Sequence, residues 1–145
     1  MDYNQAIIQS KVYLTQKGII DKVKFLVADF LDPFKNKIEK ISSKPDAIFL
    51  SRILNDWDDI NAVRILNNCR SALTSEGTIY IFELVQPEDP KIDTYVFLSL
   101  NLIALTGGKV RNLNEFRDLL KKSNLSISSH KNFGLITVLT VTTLK

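Results

Sequence analysis

Three consecutive segments between residues 46 and 85 constrain this chain more than anything else in it. Residues 47–50 (AIFL) form a nearly continuous apolar run, of the kind found in strands buried on both faces. In the stretch NDWDDINAVRILNNCRSAL, Ile60, Val63, Leu66, Cys69 and Leu73 follow one helical face, which predicts a helix over residues 58–73. The aspartates at its start suit the positive end of the helix dipole. After a turn at Glu76-Gly77, residues 78–85 (TIYIFELV) are β-branched and aromatic and stop short of Pro87, which predicts a second buried strand.

Similar alternation extends to both sides. Ala6, Ile7, Val12 and Leu14 recur at roughly helical spacing, with Gly18 as a plausible stop, and predict an amphipathic helix over residues 3–18. Residues 22–27 (KVKFLV) read as a short strand running into a loop at Asp29 to Pro33, because Pro33 disfavours helical geometry at Asp32. The apolar run ending at Leu105 reads as a helix stopped by Gly107-Gly108, and Asn112 with Glu115 forms a capping box for a helix through Lys122. Two final strands, 125–129 and 135–143, flank a turn at residues 132–134. The expected fold is α/β, one domain over residues 1–145, with a mainly parallel sheet and an antiparallel C-terminal edge.

Composition narrows the function classes. With 45% hydrophobic and 24% charged residues, a chain of 145 residues can build a core. The stretch 95–105, interrupted by Ser99 and Asn101, is well short of the ~18 residues of a membrane span. No basic and apolar leader opens the chain, so a cytoplasmic location is the default expectation. Cys69 and His130 are the only residues of their types, which leaves no disulfide and no ordinary Cys/His zinc site. The net charge of +3 is spread along the sequence, with short clusters at residues 35–40 and Lys121-Lys122, and reads as solvated surface rather than a nucleic-acid face.

Three segments in order carry a family resemblance: VADFLDP at residues 27–33, DAIFLSRILNDWDDINAVRILNNCRSAL at 46–73, and LNLIALTGGKVRNLNEFRDLL at 100–120. Together they resemble the class I, S-adenosylmethionine-dependent O-methyltransferases, the group of plant caffeic acid O-methyltransferase and many bacterial natural-product enzymes. The resemblance implies a Rossmann-like sheet of strand order 3-2-1-4-5-7-6, of which this chain would hold strands 3 to 7. It implies S-adenosylmethionine as cofactor and a small hydroxylated acceptor. In such a fold a glycine-rich loop after the first strand lets backbone approach the cofactor. No such loop is present here, and the chain is expected to begin at the end of the second strand.

Site residues follow by resemblance. Asp2 matches an acidic residue that holds the ribose; Asp29 and Phe30 match a pair bordering the adenine; Trp57 matches a cofactor-contacting tryptophan. Ser51 and Arg52 sit at the carboxyl end of a strand, where ligands gather in open α/β sheets. Asp56 matches a residue near the acceptor, and Leu100, Asn101, Ile103 and Ala104 would wall the acceptor pocket. Without the resemblance, Asp2 is equally a helix cap or a frayed end, Asp29 a turn residue, Asp56 a helix N-terminal charge, Trp57 a core residue, and the 100–104 stretch a helix packed on the sheet. The family's catalytic histidine is matched by Asn55, one supporting glutamate by Glu83, and the other by Val110. A carboxamide can orient a hydroxyl but has no titratable acceptor for its proton near neutrality. His130, between the terminal strands, does not replace the missing base.

A strand 4 without its central neighbour would expose an apolar edge with unpaired backbone groups. Pairing with strand 3, self-association, or a separate N-terminal fragment would each remove it. The expected function is therefore a C-terminal methyltransferase part, weak or inactive as an isolated chain. The alternative is a non-catalytic binding or assembly module, or a degenerate gene remnant, that keeps the fold.

Overall fold

A computed structural model of the chain describes residues 3–26, 28–34, 43–88 and 94–144. Helix α1 (Tyr3–Gln16) is followed by a 3-10 turn (Ile20–Lys22), strand β1 (Ala47–Ser51), a second 3-10 turn (Leu54–Asp56) and helix α2 (Asp59–Ala72). Strand β2 (Thr78–Gln86), helix α3 (Thr94–Thr106), the two-residue strand β3 (Arg111–Asn112), helix α4 (Leu113–Lys122) and strands β4 (Leu125–Phe133) and β5 (Ile136–Thr143) complete it.

The sheet order is β1-β2-β5-β4, as the resemblance implies for strands 4, 5, 7 and 6. β1 pairs with β2 in parallel, from Ala47 opposite Thr78 to Ser51 opposite Phe82. β5 pairs antiparallel with both β2 and β4, the latter with an irregularity between Ile127 and Ser129. The α/β class stands, with its parallel pairings among the described residues being β1–β2 and a short β2–β3 pairing. The strand expected at 22–27 does not form: Ile20–Lys22 is a 3-10 turn and residues 23–26 carry no strand. An extended run becomes a strand only beside a partner ladder, and none among the described residues meets it. Val27 and the 35–40 lysine cluster lie outside the described residues.

One sheet face carries the core. Leu50, Ile79, Ile81, Leu139 and Val141 pack against Ala62, Ile65, Leu66 and Cys69 of α2 and Phe116, Leu119 and Leu120 of α4. Asp58 caps α2 by accepting the Asn61 N–H at 2.8 Å, and the Asn112–Glu115 capping box starts α4. The buried stripe of α2 differs from the expected one. Ala62, Ile65 and Leu66 face the sheet while Ile60 is 80% exposed. The small Ala62 side chain lets the helix lie close to the strands, which the bulkier Ile60 face would prevent. Burial pushes the Cys69 thiol up to about 12, leaving it a core residue without nucleophilic character near neutrality. On the opposite sheet face, Phe49 stacks on Tyr80 at 5.1 Å and lies 6.2 Å from Phe82, yet remains 64% exposed.

Candidate functional site

The site grows out of the carboxyl end of β1. Arg52 takes φ = 53°, a left-handed conformation unfavourable for a residue with a Cβ, and its N–H donates to Phe82 O at 2.9 Å. This bend turns the chain off the strand and into the Leu54–Asp56 turn, so that Asn55, Asp56 and Trp57 are presented together. Ser51, the last strand residue, is exposed beside it.

Glu83 projects from β2 beneath that turn and is 2% exposed. Its Oε1 accepts the Asn55 N–H at 3.3 Å. Burial pushes its carboxyl up to about 7, opposed by the backbone N–H groups of Asn55, Leu54 and Ile53. Asn55 is also buried. Its Nδ2 donates to Leu84 O at 2.8 Å, which fixes the orientation of the amide, and its Oδ1 has no hydrogen-bond partner among the described residues. Asn55 and Glu83 are thus brought together, through the backbone of one and the carboxyl of the other.

A cleft of about 310 Å³ is lined by Phe30, Ile53, Asp56, Trp57 and Thr106, so that the residues flanking Asn55 line it while Asn55 and Glu83 themselves do not. Partial burial raises the Asp56 carboxyl above its ordinary range, with Arg52 pulling it back down. Phe30 is held in place by Asn68 of α2, whose Nδ2 donates to Phe30 O at 2.9 Å and Asp32 O at 3.0 Å. Asp29 does not line the cleft; its Oδ1 accepts the Leu31 N–H at 2.9 Å within the loop. Leu100, Asn101, Ile103 and Ala104 lie on an exposed part of α3, which reaches the cleft through Thr106. Val110 is buried, its N–H donating to Ser99 Oγ at 3.1 Å. Asp2 lies outside the described residues. His130 is exposed on β4 and lines a separate cleft with Gln86, Tyr95 and Asn132. No cluster of metal-ligating side chains occurs among the described residues.

Sequence reasoning missed Arg111. This side chain is fully buried, donates to Leu54 O at 2.7 Å and Trp57 O at 2.8 Å, and pairs with Asp59 at 2.8 Å. The available signal was a basic residue directly after Val110 and just beyond a Gly-Gly pair, but burial of an arginine is unusual enough that position alone does not reveal it.

The profile of the O-methyltransferase domain matches residues 1–126. The chain belongs to the O-methyltransferase family. It is 31% identical over 119 residues to the mitomycin biosynthesis 6-O-methyltransferase of Streptomyces lavendulae, an alignment covering 82% of this chain and 32% of that protein. The chain thus spans about a third of the length of that curated relative. Among solved structures, the mitomycin 7-O-methyltransferase MmcR superposes with a TM-score of 0.78 at 28% identity, over 92% of this chain and 38% of MmcR. The O-methyltransferase NcsB1, solved with S-adenosylmethionine and 2-hydroxy-5-methyl naphthoic acid, also has a TM-score of 0.78, at 24% identity, over 93% of this chain and 38% of NcsB1. At that identity the NcsB1 likeness bears on the fold. Among the described residues, no helix is long and apolar enough to cross a membrane.

Proposed function

We propose that this chain is the acceptor-facing part of an S-adenosylmethionine-dependent O-methyltransferase, a single partial catalytic domain acting on a small hydroxylated acceptor. The observation that carries this reading is the buried Asn55–Glu83 contact, made at the same short turn whose neighbours Ile53, Asp56 and Trp57 line the cleft. Family membership supplies the chemistry to which that arrangement is suited.

The cleft fits one side of the cofactor. Phe30, Ile53 and Trp57 offer an apolar slot for a heteroaromatic ring, and Asp56 places a carboxylate where a cationic appendage would be favoured. When bound, S-adenosylmethionine supplies an electrophilic sulfonium methyl group. Asn55 has committed its Nδ2 to Leu84 O, so its free end is Oδ1, which would accept a hydrogen bond from an acceptor hydroxyl. It orients the hydroxyl without removing the proton. Glu83 is engaged by backbone N–H groups under the turn and steadies Asn55 from below. Without a general base the rate falls by about 10²–10⁴-fold. Asn55→His in an assembled enzyme is expected to recover a gain of that order in turnover.

The cofactor cradle would come from a segment carrying a glycine-rich loop. Two features support a partner on that side. β1 pairs with β2 along one edge, and its other edge meets no strand among the described residues. Phe49, on the sheet face opposite the core, is largely exposed. Titration calorimetry with S-adenosylmethionine, on the chain alone and with a glycine-loop polypeptide, tests the reading. Heat in the mixture supports it; no heat in either sample rejects it.

A non-catalytic binding or assembly module is the second reading, favoured by the apolar Val110 and the amide of Asn55 at acid/base positions. Methyl transfer by purified protein, abolished by Glu83→Ala, would eliminate it.

A further inference from the structure

The Leu54–Asp56 turn is too short to hold its own shape, because a three-residue 3-10 segment has few internal hydrogen bonds. Its conformation is set by contacts from elsewhere in the chain. Glu83 holds the Asn55 N–H from β2. The segment after α3 holds the carbonyls: Lys109 N–H donates to Asn55 O at 2.9 Å, Arg111 Nη1 to Leu54 O at 2.7 Å, and Arg111 Nη2 to Trp57 O at 2.8 Å. Asp59, at the start of α2, accepts from Nη2 at 2.8 Å and from Nε at 3.2 Å and fixes the guanidinium plane.

Close approach is a condition of this arrangement. A Cβ on Gly108 would lie 2.0 Å from Asn55 O and 2.7 Å from the Asp56 carbonyl carbon, so only glycine allows the two backbones to meet. Arg111 is entirely withdrawn from water, and a buried cation is tolerated only when its donors are satisfied. Here the planar fork satisfies them on both sides of Asn55 and Asp56. A lysine ammonium cannot span the same acceptors in one plane.

We infer that Arg111, with Gly108 permitting the approach, is the positioning residue of the Trp57 cleft, fixing the turn that aims Asn55, Asp56 and Trp57. Its functional meaning rests on the methyl-transfer reading, whereas the clamp itself stands on the contacts. The chain has a single tryptophan, so its fluorescence reports Trp57 alone. Arg111→Lys and Gly108→Ala in the full chain are expected to keep the far-ultraviolet circular dichroism while shifting Trp57 emission to the red and increasing acrylamide quenching. Arg117→Lys, on the exposed side of α4, is expected to change neither. Where S-adenosylmethionine binds the wild-type assembly, Arg111→Lys is expected to weaken it by about tenfold or more, through loss of charge-assisted hydrogen bonds. Unchanged emission and quenching in both folded variants would overturn the clamp. If those variants do not fold, Asp59→Ala, which removes the carboxylate that orients Arg111, is read in the same way, with unchanged Trp57 fluorescence again the overturning result. Absence of cofactor binding even by the wild-type assembly would reject the methyl-transfer reading, and Trp57 fluorescence would still decide the clamp.

Discussion

Helices α1 and α2 have the same length, 14 residues, and both carry apolar residues at helical intervals, yet of the two only α2 has described side chains in the core. In α2, Ala62, Ile65, Leu66 and Cys69 are withdrawn from water against the sheet. In α1, Ile8, Val12 and Tyr13 are each more than half exposed, and no described side chain from residue 7 to 34 is buried. Helix formation needs only a local pattern, whereas burial needs an opposing surface. α2 has β1, β2 and α4 to oppose it. For α1, no such surface is found among the described residues, and a helix of this length without a packed face is marginal in water.

The largest expected effect sharpens that contrast. Phe116→Ala, in the core shared by α2 and α4, is expected to cost about 3–5 kcal/mol of unfolding free energy, read from urea denaturation. A loss below 1 kcal/mol would mean that the packed half is loose as well, and would erase the distinction.

Glu83 tests the polar exception within that packed half. Both folded and unfolded states hold its proton well below pH 4.5, the ordinary value, but the folded state keeps it up to about 7. The contribution of Glu83 to stability should therefore be fully present below about pH 4.5 and be lost as pH rises through about 7, by on the order of 3 kcal/mol in all. Glu83→Gln should flatten that part of the stability profile and stabilise the protein at pH 8. An unaltered slope would show that the carboxyl is better solvated than its burial implies.

The smallest expected effect is at α1. Ile8→Ala, at a position 61% exposed, should change stability by less than about 0.5 kcal/mol. A loss above 1 kcal/mol would reveal a surface that covers α1, and the comparison of the two helices would fail.

Much of the fold was legible in the residues because its signals are local. α2 does begin at its run of aspartates, Asn112 and Glu115 do form the capping box, and the β-branched run after Glu76-Gly77 is β2. The meeting of Asn55 with Glu83, 28 positions apart, was legible only through the family pattern. What escaped depended on contacts distant in sequence. The run at 22–27 has strand composition but no ladder to join, Ile60 fits a helical stripe but lies on the wrong side of it, and Arg111 reads as a surface charge until its partners 52 to 57 residues away are placed.

The sequence by itself determined the ends of β1, α2, β2 and α4 to within about a residue, because capping, dihedral preference and apolar period act over a few residues. Only the tertiary structure decided which apolar faces are buried, that Glu83 retains a proton toward neutrality, and that Arg111 grips the turn bearing Asn55. Burial, desolvation and hydrogen-bond partnership are properties of surfaces brought together across long separations, and no local pattern encodes them.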